Sequence, residues 1–448
     1  GFLFFNASAI VMVFLLGRRL FGPSFGAAAA VAYAILTVQP GVFGTSAHAT
    51  HFVVIFALPG ILLLLRALES RKLPELIGSG LLLGTAFLMK QPGVLFVVFG
   101  IVHLVWSDRK VNPLSLPQSL RRLGLFLLSA ALPYGITCLW LWKAGVFSRF
   151  WFWTFDYARV YGSATSFSES LGELSVQLRV VILPMVILWI CALAGLTVFA
   201  WDKEARKRLW FVVSFLIFSA AAVCAGSRFS GHYFVLVFPA LALLAGLSVS
   251  AYAKMLSCKR SGHLLRLIPV AVFLLSVCLP VYQQRDLFFS MSNEEASRAM
   301  YGWNPFPEAV EIGKVLREHS RPEDRIAVLG SEPEILFYAR RRSATGYIYM
   351  YALTEMQPYA ARMRKEMIDE VTRARPEYLV IMAPSCSWVS TRRQNNEVME
   401  WVQQYAKSGY RPIARVWEDP SNPDARIYSW DNPAGEGKPV VDILQKVE

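Results

Sequence analysis

The sequence predicts an α-helical polytopic membrane bundle of about ten spans, at roughly 20 apolar residues each, followed by a small α/β soluble domain. Three observations carry this. Hydrophobic runs recur without interruption up to residue 283. The loops between them alternate between rich and poor in Lys and Arg. The composition then changes, from Gln284 onward, to charged and Pro-rich segments in which short β-rich runs alternate with helical patterns. The 448 residues are 55% hydrophobic with a mean hydropathy of +0.40, too apolar for a soluble protein of this size.

The candidate spans fall at 2–16, 24–44, 51–67, 76–90, 92–106, 123–143, 176–200, 209–225, 233–253 and 267–283. Basic residues resist translocation and collect on the cytoplasmic side. Arg18 and Arg19 follow the first span. Every second loop after it is also basic: Arg66, Arg71 and Lys72; Arg109, Lys110, Arg121 and Arg122; Lys203, Arg206, Lys207 and Arg208; Lys254, Lys259, Arg260 and Arg266. The intervening loops near 41–50, 91–92, 144–175 and 226–232 are poorer in Lys and Arg. This alternation predicts a multi-pass protein of the inner (cytoplasmic) membrane with its C-terminal domain extracytoplasmic. Gln91-Pro92 is too short for a comfortable loop and reads either as a tight connection or as a kink in one long helix.

The domains so defined are a membrane body over 1–283, a linker over 284–306 and an extracytoplasmic α/β domain over 307–448. In the last, Ile326–Gly330, Tyr347–Met350, Glu377–Met382, 412–417 and 426–430 read as strands. Glu332–Arg340, 357–374 and Glu397–Lys407 read as helices, the middle one with Met363, Met367 and Val371 at helical spacing. No nucleotide-binding glycine motif follows any of these strands.

The net charge of +13 sits largely in the inside loops, where it faces anionic headgroups. No basic face with interleaved aromatics lies elsewhere, so no nucleic-acid partner is expected. The six cysteines form no framework. Four lie in spans, Cys258 lies in an inside loop, and Cys386 is alone in the outer domain. No metal-ligand spacing is present and no cofactor is evident; a divalent-ion requirement stays open.

Polar groups at span ends on the outer side are the informative ones, because charge at membrane depth is costly unless used. Lys90 ends a span where the charge rule disfavours Lys, and a Lys there is a point charge suited to phosphate. In the outer loop Ser227–Phe234, Arg228 offers a planar fork of donors for phosphate, with His232 and Tyr233 beside it. The aromatic-rich segment 147–161 reads as an interfacial helix. In it Asp156 and Arg159 share a face with spacing three, and Tyr157 lies between them. His48 and His51 occupy another outer loop. Each has a plainer alternative: Lys90 snorkels to headgroups, Tyr233 belongs to an aromatic belt, and Asp156 with Arg159 is a solvated pair on an anchor. All four features fall on the outer membrane face.

The strings Leu15–Gly22, Gly84–Gly93, Phe152–Tyr157 and Arg228–Phe234 together resemble the GT-C-type polytopic membrane glycosyltransferases, the group of protein O-mannosyltransferases and lipid A aminoarabinose transferases. The likeness is diffuse and spans most of the membrane body. It implies a glycosyltransferase, hexosyl- or pentosyl-, that moves a sugar with inversion. The donor is a polyprenyl-phosphate sugar and the acceptor an unknown glycan, lipid or protein at the outer face. Lys90, Arg228, His232, Tyr233, Tyr157 and Arg159 are the expected substrate-binding residues. The family's acidic catalytic residue lies in a first outer loop, and Gly1 falls within the second span of that scheme. The base is thus expected upstream of Gly1, which would leave this stretch an N-terminally truncated, inactive transferase; Asp156 is the fallback. Relatives also often carry a carboxylate near Thr50 or His51, where this loop has none. The alternatives are a transporter or flippase for lipid-linked sugars, which needs no base, and a non-catalytic envelope assembly subunit.

Overall fold

The computed structural model describes residues 2–163, 166–257, 262–383, 387–388, 397–419, 421, 426–430 and 438–447. Cys258 and Cys386 lie outside them. The chain divides into two compact units, Gly1–Arg285 and Asp286–Glu448.

The first unit is helical. Its long helices are α1 Phe2–Phe21, α2 Pro23–Val38, α3 Ala49–Ser70, α4 Leu73–Met89, α5 Val94–Trp106, α6 Leu116–Lys143, α7 Phe167–Ile182, α8 Val186–Trp201, α9 Leu209–Cys224, α10 Phe238–Ser257 and α11 Leu267–Gln283. A single turn, Leu183–Met185, separates α7 from α8. Among the described residues, five helical stretches are long and apolar enough to cross a membrane, counting α7 and α8 as one, and four shorter apolar helices accompany them. Several helices run past the apolar limits read from sequence. Arg18 and Arg19 lie inside α1, Arg66 inside α3, and Arg121 and Arg122 inside α6. The reason is visible in their partners. Arg19 pairs with Glu69 at 2.7 Å, tying α1 to α3. Arg122, expected as a loop cation, is buried against Asp108, its Nε 3.2 Å from Oδ2, and donates to the Ala67 carbonyl. Where such a charge is buried inside a helix, a partner satisfies it.

Helix α10 is the hub. Its residues from Phe238 to Val249 are buried on every side, and it packs on α2, α8, α9 and α11. A helix apolar all round belongs in an interior. Close approach elsewhere uses small residues. A Cβ at Gly84 of α4 would sit 2.0 Å from the Ala130 carbonyl oxygen of α6, and one at Gly80 would meet Ser129 Oγ equally closely. Gly80 and Gly84 thus form a small-residue seam of the kind that lets membrane helices touch backbone to backbone.

The second unit holds a six-stranded sheet in the order β2-β1-β3-β6-β4-β5. The strands are β1 Arg325–Leu329, β2 Arg342–Ser343, β3 Tyr378–Met382, β4 Tyr410–Glu418, β5 Arg426–Trp430 and β6 Pro439–Lys446. β1 pairs in parallel with both β2 and β3, and the remaining pairings are antiparallel. Residues 284–306, expected as a linker, include the short helices Arg285–Phe289 and α12 Asn293–Tyr301. Beyond them lie α13 Phe306–His319, α14 Glu334–Ala339, a short turn of helix at Tyr351–Thr354, α15 Ala360–Ala374 and α16 Glu397–Lys407. Met363, Met367 and Val371 of α15 are fully buried, as their spacing predicts.

Two sequence expectations change. Tyr347–Met350 is not a strand; the pairing with β1 is made earlier, by Arg342 and Ser343. Side chains capture the backbone there: the Glu370 carboxylate accepts from Gly346 N–H, and Thr345 Oγ1 accepts from Tyr347 N–H. Such local bonds compete with a ladder. Conversely, β6 forms where no strand is expected, over a run that carries Asp442 among apolar residues. Its carboxylate pairs with Arg415 directly across the sheet.

At the carboxyl end of β1, Glu332 is only 4% exposed. Burial first, then the adjoining Glu334 carboxyl, push its pKa from 4.5 up to about 9, with Glu308's charge adding and the Ser387 hydroxyl opposing. The folded state therefore keeps a proton that the unfolded chain has lost. That contribution is fully present below 4.5 and is lost as pH rises through about 9. Glu332→Gln is expected to abolish this slope. Hydrogen exchange of β1 and β3 amides, corrected for intrinsic rates, will show it; equal slopes in variant and parent would refute the assignment.

Candidate functional site

Helix α4 stops at Met89 because Lys90 turns extended (φ −162°, ψ 142°) and a tight turn, Gln91–Gly93, leads into α5. The turn is a corner rather than a kinked continuous helix. Gly93 is required there, since a Cβ would come within 2.3 Å of the Ala86 carbonyl oxygen. The corner lifts Lys90 off the helix axis.

The loop from α9 to α10 is strained around Arg228. Gly226, Ser227 and Phe229 all have positive φ, at 88°, 55° and 36°. Two non-glycine residues in that region mark a backbone held in place by its surroundings, which is frequent at binding sites. One holding contact is direct: the Arg228 Nη2 donates to the Tyr161 carbonyl at 3.2 Å.

The third wall is the aromatic segment. It is helical over Phe147–Trp151, widens into a π-helical turn over Phe152–Asp156, and returns to α-helix over Tyr157–Ser163. Single π turns recur at functional sites because they shift which side chains share a face. Trp153, Tyr157, Ala158 and Tyr161 here share one face.

These three walls enclose a cavity of about 540 Å³. Its lining includes Lys90, Gln91, Trp153, Tyr157, Tyr161, Arg228 and Tyr233, and no carboxylate. Lys90 Nζ lies 3.8 Å from the centre of the Tyr233 ring, and the Arg228 guanidinium lies 3.9 Å from that of Tyr161. Each cation rests on an aromatic face, which attracts it without neutralising it. Neither forms an ion pair among the described residues, and Arg228 Nε is a buried donor with no acceptor. Among the described residues, the site is a positively charged, aromatic-walled pocket without a counter-ion.

Of the residues expected from sequence, Lys90, Arg228, Tyr233 and Tyr157 line this one cavity. His232, Arg159 and Asp156 do not. His232 instead stacks on His48, ring centres 4.4 Å apart, and its carbonyl accepts from Thr50 Oγ1. With His51 they form a histidine layer within electrostatic reach of Lys90. Burial first, then the Lys90 charge, hold His48 below the usual imidazole range. No group of three or more His, Cys, Asp or Glu able to hold a metal is present among the described residues. Tyr161 and Trp153 are two lining aromatics that the sequence did not single out. Their signal was the spacing 153, 157, 161 inside the aromatic run.

The family model of dolichyl-phosphate-mannose-protein mannosyltransferase matches residues 3–134. Among solved structures, the chain is similar to ArnT from Cupriavidus metallidurans, crystallised bound to undecaprenyl phosphate. The TM-score is 0.50 and the identity 14%, over 98% of this chain and 82% of that one. At that identity the likeness is one of fold. No curated protein matches the chain by sequence.

Proposed function

We propose that this protein transfers a sugar from a polyprenyl-phosphate donor to an acceptor at the outer face of the cytoplasmic membrane. The observation that carries the reading is the pairing of Lys90 and Arg228 in one aromatic cavity without a carboxylate. Two unpaired cations call for an anion, and the solved structure of similar fold was crystallised with a polyprenyl phosphate. In this reading both cations hold the donor phosphate, and Tyr157, Tyr161 and Trp153 wall the sugar or the first isoprene unit. The orientation rests on the basic loops, which place this cavity on the side opposite them.

The chemistry is a direct displacement. The acceptor oxygen forms a bond to the anomeric carbon as the bond from that carbon to the phosphate oxygen breaks, and the electron pair leaves with the phosphate. Lys90 and Arg228 stabilise the charge that builds there, an effect strengthened where water is excluded. The acceptor hydroxyl must lose its proton to a base. Asp156 lies on the wall segment but outside the lining, so the base is not assigned to a cavity residue.

That lack of a lining carboxylate favours a second reading, a carrier of lipid-linked sugars. Reconstitution into proteoliposomes with a radiolabelled polyprenyl-phosphate sugar and envelope acceptors separates the two. Transfer predicts free polyprenyl phosphate released in step with label in the acceptor. Label that crosses the bilayer while still on its lipid would overturn the transferase reading.

A further inference from the structure

A second cavity, about 470 Å³, lies at the opposite end of the α9–α10 pair. The phosphate-type cavity is at the C-terminal end of α9 and the start of α10. This one is lined by residues preceding α9 and by the last turns of α10, with the end of α1 and the start of α2 closing it. The separation is the length of α9, about 24 Å for its 16 residues.

Its chemistry is divided. Phe21, Phe25 and Leu247 give an apolar wall, and Lys207, Arg208 and Lys254 bring cations to the lining. Two acids are also present, but both are occupied. Asp202 Oδ1 accepts from Glu204 N–H and Ala205 N–H at the start of a short turn, and Glu204 pairs with Lys207 at 2.7 Å. Arg208 and Lys254 have no ion pair or side-chain hydrogen bond among the described residues. They sit beside an apolar slot between helices, in a lining whose three cations outnumber its two carboxylates.

We propose that this cavity binds the headgroup of an anionic phospholipid, with its phosphodiester on Arg208 and Lys254 and its first acyl methylenes on Phe21, Phe25 and Leu247. Basic pockets between membrane helices on the side of the basic loops suit such headgroups, and the apolar wall separates a lipid from a free phosphate ester. The site is independent of the glycosyl donor: it shares no residue with the Lys90–Arg228 cavity.

The test is native mass spectrometry of the whole protein exchanged into mixed micelles of dioleoyl phosphatidylglycerol and dioleoyl phosphatidylcholine. One phosphatidylglycerol per chain should be retained in preference to phosphatidylcholine. The double variant Arg208→Gln/Lys254→Gln should lose this preference by about fivefold per cation removed. Lys203→Gln, which removes a basic charge from the same loop but not from the lining, should keep it. Should the double variant fail to fold, the two single variants carry the measurement, each with its own fivefold loss. Equal losses in Lys203→Gln and the lining variants would show a diffuse basic surface and overturn the proposal, as would unchanged retention in all of them. Displacement of the lipid by equimolar glycerol 3-phosphate would reassign the site to a soluble phosphate ester and overturn it too.

Discussion

Replacing Lys90 or Arg228 with Ala is expected to weaken polyprenyl-phosphate binding by roughly 1.5–3 kcal/mol, about 10- to 150-fold in Kd, the range for a hydrogen bond to a charged group. The size of the effect follows from the cavity's composition. Neither cation is held by a carboxylate, so neither has an ion pair to release on binding; both rest on tyrosine faces. The double variant should lose less than the sum of the singles, because both cations meet one phosphate. Lys90→Arg and Arg228→Lys should recover part of the affinity. Calorimetry with a short-chain polyprenyl phosphate measures all of these. Unchanged affinity in both alanine variants would remove the phosphate assignment, and with it the main support for the donor.

Glu308→Ala should destabilise the α/β unit by about 3–5 kcal/mol, the cost of breaking a buried pair from one side. Glu308 of α13 is fully buried and receives Arg298 of α12 and Arg426 of β5. Arg426 Nε lies 2.8 Å from Oε1 without its N–H aligned on it, so this contact is an ion pair rather than a hydrogen bond. The guanidinium also lies 5.3 Å from the centre of the Trp303 ring. Removal of Glu308 takes the shared carboxylate from both guanidinium groups at once. Glu308→Leu combined with Arg426→Met should be far milder than Glu308→Ala, since it removes the more deeply buried of the two cations along with the carboxylate. Denaturant unfolding of the full protein, followed through exchange of α13 and β5 amides, gives the comparison. A loss below about 1 kcal/mol in Glu308→Ala, the value of an exposed pair, would show that the network does not hold the unit.

What could be read from the residues follows a physical divide. Spans were legible because bilayer thickness imposes a length, and Lys90 and Arg228 because each breaks the charge rule that governs its loop. The exact face of the aromatic segment was not legible. A π turn at Phe152–Asp156 decides which rings turn inward, and nothing in the residue types announces it. His232 and Arg159 show the same limit: adjacency in sequence to Tyr233 and Tyr157 does not confer adjacency in space. In the α/β unit, strands with clean apolar runs were legible. β6 was hidden by Asp442, whose charge is matched by Arg415 on the neighbouring strand. The false strand at Tyr347–Met350 had the right residue types but gave the backbone N–H groups of Tyr347 and Met350 to the Thr345 and Ser331 hydroxyls.

The tyrosine-seated cations also set the tempo of the proposed reaction. A glycosyl phosphodiester carries one negative charge, whereas the phosphomonoester left behind carries between one and a half and two near neutral pH, roughly, since its second pKa is about 6. With no carboxylate in the cavity to compete for Lys90 and Arg228, the spent carrier is held more firmly than the loaded one. On the proposed reading, turnover would be governed by departure of the spent lipid rather than by the bond exchange itself, and accumulated polyprenyl phosphate would act as a brake on the transfer.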